Sequence, residues 1–163
     1  MAAASPQSQW FRRVLGHFPT GVVIVTAVDD GAPVGMSIGS FTSVSLEPPL
    51  IAILPAKTSS SWPRIAAARV FCVNVLNAGQ EALCRTFATS GADKFAGVRW
   101  RLSPSGAPVL VGTLAWIDCS LEQVVEAGDH YIALGRVRSL DLSADQATEP
   151  LVFFRGGYGT ISR

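Results

Sequence analysis

The chain is 163 residues long, with a net charge of +1, 48% hydrophobic and 15% charged residues. That length fits a single domain over 1–163 whose core hides roughly two thirds of the unfolded surface, and the apolar content excludes a disordered chain. Scattered arginines and lysines leave no basic stripe, which excludes a nucleic-acid partner, and so little charge predicts that a partner subunit covers some apolar surface.

In chain order, Ser8 is placed to cap a first helix ending near Leu15, with Phe11, Val14, Leu15 and Phe18 on one stripe. Residues 20–28 are β-branched enough for a buried strand. Asp29-Asp30-Gly31 supplies a hairpin turn, and residues 35–50 follow as the return strand and its continuation, ended by Pro48-Pro49. Residues 50–55 form a further strand. Residues 59–69 are predicted as a capped helix with Pro63 in its first turn. A strand over 70–76 precedes an amphipathic helix over 79–88 with Leu83, Cys84, Phe87 and Ala88 inward, then a loop over 91–97. Two long strands, 110–125 and 131–142, flank residues 126–130. A short strand over 150–155 comes before a glycine-rich tail.

Hairpin-connected strands with a few inserted helices point to a mainly β fold, a closed or split antiparallel barrel with peripheral helices. The N-terminal residues lack the basic start and apolar core of a signal peptide. Runs 22–25 and 50–56 are too short to span a bilayer. Cys72, Cys84 and Cys119 share no short spacing and are expected to be reduced packing residues in a cytoplasmic protein. With His17 and His130 the only histidines, no metal site is expected.

The stretch 35–50 stands apart: five of its side chains are hydroxyls, and Glu47 is its only charge. Buried hydroxyls cost free energy without partners, so the composition suits a neutral, planar, hydrogen-bonding ligand. Gly35-Met36-Ser37-Ile38-Gly39 matches the nucleophile elbow of serine hydrolases, but the elbow needs a helix after it. Phe41, Thr42 and Val44 prefer strand, and the adjacent Asp129 and His130 are hard to fit to one triad. Gly156-Gly157-Tyr158-Gly159 lies too near the C-terminus for a dinucleotide-binding helix to follow; a flexible tail closing over a site is the alternative. The segment Lys57, Thr58, Ser59, Ser60 and Ser61 precedes a predicted helix. It is either a phosphate cradle or a plain N-cap. Gly128-Asp129-His130 suits a hairpin turn with glycine at positive φ.

Several anchors in order resemble the short-chain flavin reductases, the NAD(P)H-dependent partners of two-component flavin monooxygenases. They are Phe18-Pro19-Thr20-Gly21-Val22, residues 40–50, Phe71-Cys72-Val73-Asn74-Val75-Leu76, Asp93-Lys94-Phe95, Gly128-Asp129-His130 and Tyr158. The resemblance implies an FMN-binding split barrel, a homodimer with FMN or FAD near its interface, and NADH or NADPH as co-substrate. It places Met36, Ser37, Ile38, Gly39 and Ser40 along the isoalloxazine edge, with Ser43, Val44 and Ser45 near the ring and ribityl chain. Lys57, Thr58, Ser59 and Ser60 would take the phosphate, and Lys94 with Phe95 would complete the site. His130, positioning nicotinamide, and Tyr158 would border its pocket. Gly39 departs from the family, where a small polar side chain is frequent. The implied chemistry is hydride transfer to the flavin, in which the protein supplies position and electrostatics. A non-catalytic flavin- or haem-binding split-barrel module and a pyridoxine-phosphate-type oxidase are the alternatives on the same fold.

Overall fold

A run of residues buried on both faces makes an interior strand, and here that run lies at residues 22–27. The computed structural model describes residues 5–91, 93–143 and 149–161. Helix α1 (Pro6–Leu15) begins one turn's cap earlier than expected: the Ser5 hydroxyl, not that of Ser8, accepts from the Ser8 backbone N–H. None of its residues is buried, so the stripe of Phe11, Val14 and Leu15 faces outward, and Phe18 lies beyond the helix. Strand β1 (Thr20–Gly21) is separate from β2 (Val23–Asp29), which turns at Asp30 and Gly31 (φ +49° and +76°) into β3 (Ala32–Ile38). Then come β4 (Thr42–Leu46), β5 (Pro49–Ile53), α2 (Trp62–Ala68) and β6 (Val70–Val75).

A short 3₁₀ turn leads into α3 (Glu81–Ala88), where Cys84 and Phe87 are buried while Ala88 is exposed. The expected strand 110–125 is divided. A small hairpin, β7 (Trp100–Leu102) and β8 (Pro108–Leu110), precedes β9 (Ala115–Ala127), which pairs with β10 (His130–Leu142). The glycine-rich tail is a strand rather than a loose segment: β11 (Val152–Phe154) and β12 (Gly157–Gly159) form a hairpin that pairs with β1.

All strand pairings among the described residues are antiparallel, and the main sheet runs β3-β2-β6-β9-β10-β5-β4. Val25, Ile38, Ile53, Ile65, Phe71 and Ala133 share one core, although their strands lie toward opposite ends of that order. The sheet therefore curls around this core, with α2 packed into it, but its terminal strands β3 and β4 do not pair. That is a split barrel, as expected. The other face of β2 sends Ile24, with Val22 just before the strand, into a second cluster under α3, with Cys84, Phe87 and Leu151. No described helix is long and apolar enough to cross a membrane.

Candidate functional site

Strand β3 is an edge strand, paired only with β2, so its outer edge offers backbone N–H and C=O groups to a ligand. Ser37 pairs with Ile24, and directly opposed residues share a face. Ile24 belongs to the cluster under α3, so Ser37 faces that side while Met36 and Ile38 face the main core. Gly35 lies on the same side as Ser37; a Cβ there would come within 2.6 Å of the Phe87 ring.

Two cavities open along this strand. The larger, about 500 Å³, is lined by Pro33, Gly35, Ser60, Ser61, Arg64 and Lys94 among others. The smaller, about 160 Å³, is lined by Ser37, Ile38, Gly39, Cys84, Phe153 and Tyr158 together with Val22. A Cβ on Gly39 would meet only Thr20 Oγ1, at 3.1 Å, so the absent side chain leaves room beside the strand edge.

Sequence and structure assign several polar groups differently. Lys94 does not stand free: its ammonium donates to Gly35 O, Phe87 O and Ser61 Oγ at 3.0, 3.0 and 3.2 Å, and burial lowers its pKa. It braces the larger cavity. Phe95 packs edge-on against Phe87 and Trp100 behind it. Lys57 pairs with Glu126 at 2.8 Å, which raises the ammonium pKa and lowers that of the carboxyl. The Ser40 hydroxyl bonds both the N–H and C=O of Leu54, tying the β3–β4 link to the end of β5. Ser59 reaches Met36 Sδ and accepts from the Trp62 N–H, the first N–H of α2. The hydroxyls of Ser37, Thr58 and Ser60 have no partner among the described residues and remain available. Ser43, Val44 and Ser45 sit on β4 at the opposite edge, where Ser43 and Val44 are exposed and Ser45 is half-buried.

His130 opens β10 after a tight turn in which Gly128 takes φ +63°. Its Nδ1 is 2.7 Å from Asp129 Oδ1, and this contact depresses the Asp129 pKa. Main-chain contacts tie the turn to the predicted phosphate loop: His130 bridges Ala56, and the Lys57 N–H donates to Asp129 O. Tyr158 lies elsewhere, in the smaller cavity, so His130 and Tyr158 do not line one described cavity. The Tyr158 hydroxyl is 3.3 Å from Cys84 Sγ, and burial, helped by that thiol, pushes its pKa to about 12. It is therefore a neutral hydrogen-bonding group at working pH. Of the walls of this cavity, Cys84 was legible in sequence only as an inward packing residue, and Phe153 only as part of a short strand over 150–155. Among the described residues no cluster suits a metal ion.

The donor set is neutral hydroxyls along an open strand edge, with cations at the margin. It fits a polar-edged heteroaromatic ring carrying a phosphate. Residues 15–162 match the family model described as flavin reductase like domain. The chain is 51% identical over 161 residues to the reductase subunit HsaB of a flavin-dependent monooxygenase from Rhodococcus jostii, covering 99% of this chain and 82% of that one. It resembles the crystal structure of nitrilotriacetate monooxygenase component B from Mycobacterium thermoresistibile, with a TM-score of 0.93 and 44% identity over 96% of this chain and 87% of that one. It also resembles the NADH:FAD oxidoreductase SgcE6 of Streptomyces globisporus in complex with NAD and FAD fragments. There the TM-score is 0.88 and the identity 40%, covering 99% and 98% of the two chains.

Proposed function

The chain belongs to the flavin reductase like domain family, and from that membership we propose that it transfers a hydride from NADH or NADPH to FMN or FAD and supplies reduced flavin to a separate flavin-dependent monooxygenase. The observation that carries this function is β3, an open, charge-poor sheet edge with a cavity on either end of its length. When bound, the flavin supplies the hydride-accepting chemistry.

The protein's part is to bind and orient. Met36, Ser37, Ile38, Gly39 and Ser40 form the edge that meets the ring, with backbone groups and the free Ser37 hydroxyl as donors and acceptors. Such preorganised dipoles favour charge that develops at the ring's polar edge. Ser43, Val44 and Ser45 border the split from the β4 side. Thr58 and Ser60 offer hydroxyls to the phosphate, Ser59 shapes the loop, and Lys57 holds it through Glu126. Lys94 and Phe95 act from behind, as brace and wall. His130, oriented by Asp129, and Tyr158, held by Cys84, position the nicotinamide.

The protein works as one domain and as a homodimer in the cytoplasm in this proposal. Exposed apolar side chains on β4, β9 and β10 support the dimer, and three free, buried cysteines are consistent with a reducing compartment. Anaerobic stopped-flow mixing of NADH or NADPH with the protein and FMN or FAD tests the function. Bleaching of flavin absorbance is expected, and His130→Ala is expected to weaken nicotinamide use more than flavin binding. No bleaching with any pair of substrates refutes the enzyme; ligand binding without nicotinamide oxidation identifies the non-catalytic module instead.

A further inference from the structure

We propose that the groove between the end of α1 and the β11–β12 hairpin binds the phosphates of the nicotinamide dinucleotide, an inference that rests on the reductase function above. The groove measures about 480 Å³ and is lined by Arg12, Arg13, His17, Arg155 and Phe153, with no carboxylate on its walls. None of the three arginines forms an ion pair among the described residues. Arginine's planar fork matches phosphate oxygens, so unpaired guanidiniums around one concavity suit a pyrophosphate.

A plainer role accounts for part of this cluster. Arg12 and Arg13 lie in the last turn of α1, where cations complement the helix dipole. Arg155 lies outside the helix, with its guanidinium 6.0 Å from the centroid of the Phe154 ring. The hairpin brings it from the far end of the chain in a turn where Arg155 and Gly156 take φ +51° and +83°. Its N–H donates to Gly16 O at 2.9 Å, fixing the hairpin to the helix end. His17 Nδ1 lies 2.8 Å from Arg13 O, and its ring meets Phe154 edge-on, so the groove is built before a ligand arrives.

Its position assigns the ligand. Phe153 is a wall of this groove and also of the cavity that holds Tyr158, Ser37 and Gly39. The Phe153 and Tyr158 rings pack edge-on at 5.1 Å. On the other side, Arg12 is near enough to Asp129 to help lower its pKa, and Asp129 holds His130. A dinucleotide whose nicotinamide reaches the flavin edge past Phe153 thus has its charged half among the arginines.

The test compares hydride donors with and without phosphates, using FMN as acceptor so that the acceptor carries no pyrophosphate. In the Arg12→Gln/Arg155→Asn double variant, asparagine tolerates the positive φ of position 155. Its kcat/KM for NADH, relative to that for phosphate-free N-benzyl-dihydronicotinamide, is expected to fall roughly tenfold or more, mainly through KM. The dependence of NADH KM on salt is expected to flatten. Arg13→Gln carries the same expectation in milder form, so misfolding of one variant leaves the other to decide. An unchanged donor ratio in a folded variant overturns the assignment, as does a loss confined to flavin affinity. A wild-type protein that oxidises neither donor refutes the reductase function itself.

Discussion

Gly35 shows how one missing side chain shapes the site. A Cβ there would lie 2.6 Å from Phe87 Cε1 and 3.1 Å from Val25 O, a ring edge and a backbone atom that cannot both yield. Gly35→Ala is therefore expected to cost about 1–3 kcal/mol by overpacking, read as a lower denaturant midpoint. An unchanged midpoint would mean that α3 shifts freely away from β3. At this scale the sequence was partly legible. Ser37 was expected to be a ligand contact rather than a nucleophile, and it sits on an edge strand followed by β4 rather than by a helix. Lys94 was expected, with Phe95, to complete the site, and nothing local foretold its partners, which lie 59, 33 and 7 residues away.

Lys94 also shows how elements are joined. Its ammonium links an edge-strand carbonyl of β3, the N-cap hydroxyl of α2 and a last-turn carbonyl of α3. Replacing it by Met keeps much of the stem but strands these acceptors, with an expected loss of about 2–3 kcal/mol and weaker flavin binding. Urea unfolding and flavin titration measure the two effects; a variant with full stability would remove the brace. Elements with strong local patterns were legible: β2, buried on both faces, and β9–β10, joined at Gly128. The β7–β8 hairpin and β12 were not, because strands of three residues carry almost no periodicity. The apolar stripe of α1 was legible but not its outward direction, because an apolar stripe says that something covers it, not what.

Over the whole molecule, the exposed apolar residues are the plainest departure from a self-sufficient monomer. Leu46 is 92% exposed, and Val125 and Ile132, directly opposed on β9 and β10, are 43% and 36% exposed. A dimer interface on these strands predicts that Val125→Asp/Ile132→Asp converts a sedimenting dimer into a monomer. Analytical ultracentrifugation checks this, and a wild-type monomer at working concentration would refute it.

By itself the sequence determined a mainly β chain, the place of a buried strand, and a hydroxyl-rich, charge-poor segment suited to a neutral, planar, hydrogen-bonding ligand. Those properties follow from local composition and periodicity, and the ordered motifs made the family recognisable. Tertiary structure alone decided that β3 and β4 end the sheet unpaired, that Cys84 faces Tyr158, and that Arg155 joins Arg12 and Arg13. Each depends on segments far apart in the chain. Curling of the sheet around one core brings them together, and no local pattern records where that curl ends.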